Sequence, residues 1–236
     1  MRNERSFERA DAREIDQGLR QHMNEIYTKM TAGVLVTAIT AYIVGNSEFL
    51  LNLFLGGPQA YIVMFAPLAI VWFGFNPATM PAKTLRISFF ALAVLYGISF
   101  SAIAAMATQD PTYSVAVAKA FFIATSMFAG LSIIGYTTKV DLSPMRTFLS
   151  MGIIGLVAIS VMNIFFGSEA IGNAVAGIGI VLFAGVTVWQ TQNMKEMYSP
   201  HLNKEIAERI GWDAALSLYI SFIAMFQYVL HFMQER

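Results

Sequence analysis

Seven stretches of this chain contain no Asp, Glu, Lys or Arg: residues 30–47, 49–82, 87–109, 120–138, 147–168, 170–194 and 214–234. The shortest is 18 residues long, which is enough apolar helix to be a candidate for crossing the ~30 Å hydrocarbon core of a bilayer. The pattern therefore predicts an all-α integral membrane protein, a bundle of seven transmembrane helices. Composition agrees. Only 13% of the 236 residues are charged, about half the ~25% of a soluble domain, so an ordinary water-soluble globule is excluded. Fifteen basic residues balance fifteen acidic ones, which gives no reason to expect nucleic acid as a partner. The absence of cysteine removes disulfides, thiolate catalysis and Cys-based metal sites.

The stretches differ in quality. The first is short and Thr-rich. The second has turn signals at both ends, Gly56-Gly57-Pro58 on one side and Asn76-Pro77 with Pro81 on the other. That leaves about 17 residues for a span, near the lower limit. Pro67 stands in its middle, where it is expected to kink the helix and free a carbonyl. A packing kink is the preferred reading over a hinge.

Residues 1–29 carry six basic and six acidic side chains and no apolar core, so they do not read as a signal peptide. Ile15, Leu19, Met23, Ile26 and Met30 recur at helical spacing. The expectation is a cytoplasmic amphipathic segment lying along the membrane face, ahead of a transmembrane domain at 30–236. A partner-binding helix is the alternative. Orientation follows from charge. With the N-terminus inside, the cytoplasmic segments hold thirteen basic residues and the outer ones hold two, Lys119 and Arg236. Thirteen against two satisfies the positive-inside rule and, with seven spans, places the C-terminus outside.

Small residues mark where helices meet in lipid. Gly152 and Gly155 do so in the fifth span, and Gly172, Ala176, Gly179 and Gly185 in the sixth. Trp72, Trp189 and Trp212 fall near span ends and read as an interfacial belt.

The chain lacks the residue patterns of the common membrane chemistries. The last span has no lysine for a retinal Schiff base. The three histidines, His22, His201 and His231, are too far apart for a zinc-protease helix. No Gly-x-Ser-x-Gly elbow occurs, and no pair of intramembrane acids is present. The expectation is a protein that is not an enzyme and has neither metal nor cofactor. The polar residues within the spans are neutral: Ser126, Asn163, Thr187, Gln190, Thr191, Ser221 and Gln227. Taken singly they read as interhelical hydrogen-bonding groups; together they are candidates for a polar path. His231 lies one turn beyond Gln227 near the outer end and is the candidate pH-sensitive group, although a snorkelling interfacial histidine is the plainer reading.

Several segments resemble one family. Ala120-Phe121-Phe122 through Met127-Phe128-Ala129-Gly130-Leu131-Ser132 is similar to the fourth span of the Bax inhibitor-1, or transmembrane Bax inhibitor motif, family. It runs into the loop Gly135-Tyr136-Thr137-Thr138-Lys139-Val140-Asp141-Leu142-Ser143, whose Tyr136, Lys139 and Asp141 look like the signature of bacterial members. Leu182-Phe183-Ala184-Gly185-Val186-Thr187 with Gln192 resembles the sixth span, and Leu216-Ser217-Leu218-Tyr219 with Phe222-Ile223 the seventh. The resemblance implies a seven-helix bundle with its last helix central, in a bacterial plasma membrane. It implies a calcium leak gated by protonation, with Ca2+ as transported ion, and a role in stress protection. It also implies a link to a membrane-bound ATP-dependent protease.

Two departures bear on that function. The family pattern places an aspartate in the sixth span where this chain has Gln190, and a second in the seventh where it has Ser221. In the family that pair is the pH-sensing latch. Neither Gln nor Ser titrates, and neither draws a divalent ion as a carboxylate does. The expectation is a retained fold with the aspartate switch lost, and a neutral Gln190–Ser221 hydrogen bond tying the last two helices together. The alternative function is a non-conducting regulator that binds a quality-control protease through residues 1–29 and the loop 195–213.

Overall fold

The computed structural model describes residues 2–234, with residues 2–16 and 72 described as backbone only. Among the described residues the chain is helical, without strands. Nine helices follow in order: α1 (Arg2–Gly45), α2 (Glu48–Leu55), α3 (Gln59–Phe73), α4 (Ala82–Ser99), α5 (Ser101–Gln109), α6 (Pro111–Thr137), α7 (Met145–Phe166), α8 (Glu169–Glu196) and α9 (Lys204–Gln234). Six of them are long and apolar enough to cross a bilayer. The pair α2 and α3 makes a possible seventh crossing, bent by 74°.

The structure adds an element to the expectation for 49–82. α3 begins directly after Gly56-Gly57-Pro58, and a short helix, α2, precedes that turn. α3 alone has 15 residues, too few for the hydrocarbon core. Pro67 is buried inside α3. A proline removes the hydrogen bond to the carbonyl four residues earlier, which here is that of Val63. Ser99 at the end of α4 donates its hydroxyl to that oxygen at 3.3 Å. The freed acceptor is thus satisfied by a neighbouring helix, as hydrocarbon requires.

The third stretch is also interrupted, at Phe100 between α4 and α5. Ser99 and Ser101 flank the break and donate to Leu95 and Ile98 carbonyls at 3.0 and 2.7 Å. Paired small hydroxyl residues of this kind bend helices. Gly45 lets the end of α1 approach this break, since a Cβ there would lie 2.7 Å from the Ser101 carbonyl oxygen.

α9 is the centre of the bundle. It packs against α1, α4, α6 and α8, and its buried residues run from Gly211 to Leu230 around its circumference. α7, by contrast, buries only Leu149 and Leu156 and presents Phe148, Met151, Ile154, Met162 and Phe165 outward. Exposed apolar side chains on that scale need lipid rather than water around them.

The N-terminal stripe departs from its expected place. Met23, Ile26 and Met30 are buried in the core, with Leu19 packed on it. They continue α1 without interruption into the bundle, so this face is covered by the protein itself and is not free to lie on a membrane. Ile15 falls outside the described side chains. Trp212 also departs from the interfacial belt. It is buried against Phe89 and Phe90, with the Lys29 ammonium 4.9 Å from its ring centre. Trp189 is half-buried, with Arg146 over its ring at 5.9 Å; the Trp72 side chain is not among those described. Of the small residues, Gly152 admits Leu182, Gly179 admits the Tyr228 ring and Gly185 admits Leu149, while Gly155 faces open space.

Candidate functional site

Ser221 and Gln190 meet. The Ser221 hydroxyl donates to Gln190 Oε1 at 2.8 Å, which joins α9 to α8 in the middle of the bundle. Ser221 is fully buried and Gln190 half-buried. The rest of the α8 face is polar but uncharged. Thr187, fully buried, returns its hydroxyl to the Phe183 carbonyl at 2.8 Å. Thr191 is also fully buried, and its hydroxyl has no partner. It packs beneath Gly135 of α6, where an added Cβ would lie 2.8 Å from the Thr191 Cβ and 2.5 Å from the Val188 carbonyl oxygen. No cluster of carboxylates or histidines suited to a metal ion occurs among the described residues.

α9 has a second anchor that the sequence did not single out. Tyr219, fully buried, lies 2.7 Å through its hydroxyl from Thr37 Oγ1 on α1. Thr37 Oγ1 is in turn 3.0 Å from the Ala93 carbonyl oxygen on α4 and 3.0 Å from that of Gly33. Ser221 is two positions beyond Tyr219, about 200° around a helix of 3.6 residues per turn. The central helix is therefore held on opposite faces, to α1 and α4 by one hydroxyl and to α8 by the other. The words Leu216–Tyr219 were visible; that Tyr219 finds a threonine 182 residues away is tertiary information with no local signal.

The remaining candidates scatter. Gln227 is exposed and joins His231 in a cavity of about 470 Å³ at the end of the bundle opposite the loops 74–81 and 138–144. Asn163, Gly172, Tyr113 and Gln234 also line it. Its lining stops at Ala176 on α8 and Gln227 on α9, short of Gln190 and Ser221. Gln227 and His231 are thus brought together with each other and not with the central pair. Ser126 is exposed on the outer face of α6.

The loop after α6 is clamped from α8. Gln192 donates its amide to the Val140 carbonyl at 2.7 Å and accepts from the Leu142 N–H at 2.9 Å. Lys195 donates to the Tyr136 carbonyl at 3.1 Å and stands over the Tyr136 ring. Asp141 is exposed and accepts the Ser143 N–H at 2.9 Å. The Ser143 hydroxyl and N–H hold its carboxyl below the usual aspartate range. Lys139 points outward. These residues shape a loop and do not reach the central pair. Replacing Gln192 with leucine leaves the Val140 carbonyl and the Leu142 N–H without this partner, and is expected to open the loop. The rate of tryptic cleavage after Lys139 should rise about fivefold or more, the factor for losing about 1 kcal/mol or more; an unchanged rate would show that the clamp does not hold it.

The same end of the molecule carries further ties. The Ala82 N–H donates to Glu205 at 2.7 Å, and Arg209 donates through Nε to the Pro77 carbonyl at 2.7 Å. Between α1, α4 and α9 lies a vestibule of about 880 Å³ lined by Arg20, Glu25, Lys29, Lys83, Arg86 and Glu208 among others, with Trp212 in its wall. We call this the basic end.

Taken together, the fold and its neutral centre define a polytopic helical-bundle membrane protein in which a central helix is hydrogen-bonded on two sides. The family model described as "Inhibitor of apoptosis-promoting Bax1" matches residues 19–236. The chain is 35% identical over 223 residues to an uncharacterised protein of Rickettsia prowazekii, covering 94% of this chain and 92% of that one. It is 34% identical over 239 residues to an uncharacterised protein of Caulobacter vibrioides, covering 95% and 92%. It is 31% identical over 223 residues to the inner membrane protein YbhL of Escherichia coli K12, covering 93% of each. The chain belongs to the Bax inhibitor-1 family, and it is an integral protein of a bacterial inner membrane.

Proposed function

We propose that this protein is a membrane stress-protection protein of the Bax inhibitor-1 type, a cation leak pathway for calcium whose central latch does not respond to pH. The observation that carries this reading is the 2.8 Å bond from Ser221 to Gln190. It occupies the two positions where the family pattern has aspartates. A carboxylate pair changes its attraction when a proton leaves; an amide and a hydroxyl do not titrate in the physiological range. The reading assigns the chain no catalytic chemistry and no cofactor, with Ca2+ as cargo only.

Its topology has seven crossings, with the N-terminus in the cytoplasm. What supports the seventh crossing is the route of α2 and α3. They start at Glu48, beyond the far end of α1, and finish before Pro77, which is bonded to Arg209 at the basic end. What supports the orientation is that Lys83, Arg86, Lys139, Lys195 and Arg209 lie at or beside that end, as the positive-inside rule asks of a cytoplasmic face.

Calcium uptake into liposomes tests the reading. An interhelical hydrogen bond in lipid is worth about 0.6–2 kcal/mol. Removing it with Ser221→Ala is expected to raise the leak by about three- to thirtyfold, if closure depends on that bond. Equal flux through Ser221→Ala and the unaltered protein would remove the latch from the account. No flux through either, with both folded, would favour the second reading, a non-conducting regulator of a membrane-bound protease. Met197 and Ile206, exposed apolar residues at the basic end, are what a partner would find there.

A further inference from the structure

A groove of about 660 Å³ runs along the outside of the bundle between α1 and α6, with Phe222 of α9 in its floor. On α1 its lining runs from Arg20 to Val34, about 21 Å at 1.5 Å per residue. That matches one leaflet, roughly half of the ~30 Å hydrocarbon core plus part of the headgroup layer. Its chemistry is graded along that length. Val34, Phe121 and Phe128 form the deep part, while Arg20, Asn24 and Tyr136 stand at the basic end. Among the described residues, Arg20 is the one charged residue in the lining. Ser132 also lines the groove; it is 7% exposed and its hydroxyl is buried without a partner. An orphaned hydroxyl of this kind costs free energy in a low-dielectric setting unless a ligand supplies an acceptor or donor.

We propose that this groove is a binding site for one anionic phospholipid of the leaflet at the basic end. One acyl chain lies along Val34, Phe121 and Phe128. An ester oxygen accepts the Ser132 hydroxyl, and the phosphate sits at Arg20. The deep end abuts Phe222, the residue after Ser221, so the lipid bears directly on α9, the helix that carries Ser221. A second apolar cavity of about 410 Å³, sharing Val34, Phe121 and Phe222, continues toward Phe100 and Phe226 and gives the chain room to extend.

The test uses the full-length protein in nanodiscs of phosphatidylcholine containing a trace of phosphatidylglycerol with a photoactivatable acyl chain. Crosslinks are expected in the peptides bearing Met23–Val34 and Phe121–Ile133, and excess unlabelled phosphatidylglycerol should displace them. Ala129→Trp, which fills the groove from α6, should abolish that labelling. Ala158→Trp, on the exposed face of α7, should leave it intact. Arg20→Gln should weaken competition by phosphatidylglycerol about fivefold, the contribution of one basic residue near an anionic surface. Labelling spread evenly over all outward helix faces would overturn the proposal. So would labelling that survives Ala129→Trp, or equal displacement by added phosphatidylcholine. None of these readouts depends on ion conduction, so failure here and failure of the leak reading are distinguishable.

Discussion

Replacing both members of the central pair with aspartate (Gln190→Asp with Ser221→Asp) will make the stability of this protein fall steeply as pH rises. The two side chains now meet at 2.8 Å, with Ser221 fully buried. Two carboxyls at that distance cannot both ionise easily, so one keeps its proton well above the usual aspartate range of about 3.9. The sign follows from linkage. The folded state then holds a proton that the unfolded chain has released, so stability is complete below the unfolded value and declines as pH climbs toward the raised one. No basic residue lies in 30–82 to offset the charge, and an uncompensated buried charge costs about 3–5 kcal/mol. Thermal unfolding of the purified double variant should therefore drop by on the order of 10 °C between pH 5 and pH 8 relative to the unaltered protein. The unaltered pair contributes no such slope. Equal pH dependence in the two proteins would mean that these positions do not sense each other's charge.

Tyr219→Ala is expected to be the most damaging single truncation in the core. The ring is fully buried and meets Phe89 and Tyr96 edge to face, with centroids 5.5 and 5.9 Å away. Gly33 makes room for it, since a Cβ there would sit 3.2 Å from the Tyr219 ring and 2.6 Å from Phe89. Removing the ring leaves a cavity that rigid helices cannot close, at about 3–5 kcal/mol. Tyr219→Phe keeps the packing and loses only the hydroxyl. Thr37 still has the Gly33 and Ala93 carbonyls to donate to, so that change should cost about 1 kcal/mol. Unfolding of the three proteins in one detergent measures the contrast. Equal losses in the two variants would locate the effect in the hydroxyl network rather than the ring.

The spans were legible because charge is so costly in hydrocarbon that its absence draws their outline. Hydropathy carries no angle, however. The 74° bend at Gly56-Gly57-Pro58 reads in sequence as the end of a span, because the same turn residues serve both purposes. Periodicity shows that a face is buried but not what covers it. The stripe of Met23, Ile26 and Met30 meets the protein's own core instead of a membrane surface. Trp212 was misplaced for a related reason. Nearness to a span end suggests an interface only for a helix on the periphery, and α9 is enclosed by four others. The Gln190–Ser221 contact was foreseen through the resemblance, which set those two positions side by side. The Tyr219–Thr37 anchor and the Ser132 hydroxyl were not, since each depends on which helices become neighbours. Gln227 and His231 share a helix face and a cavity, which spacing could give. Their distance from the central pair could not be read from spacing.

The Ser221–Gln190 hydrogen bond contains no group that titrates in the physiological range, so the proposed leak should be indifferent to pH. Calcium flux into liposomes at pH 6 and pH 8 tests it most directly, with the unaltered protein measured beside the double aspartate variant. The expected flux ratio is near one for the unaltered chain, with a strong pH dependence for the variant. A steep pH response in the unaltered chain would contradict it and turn attention to His231.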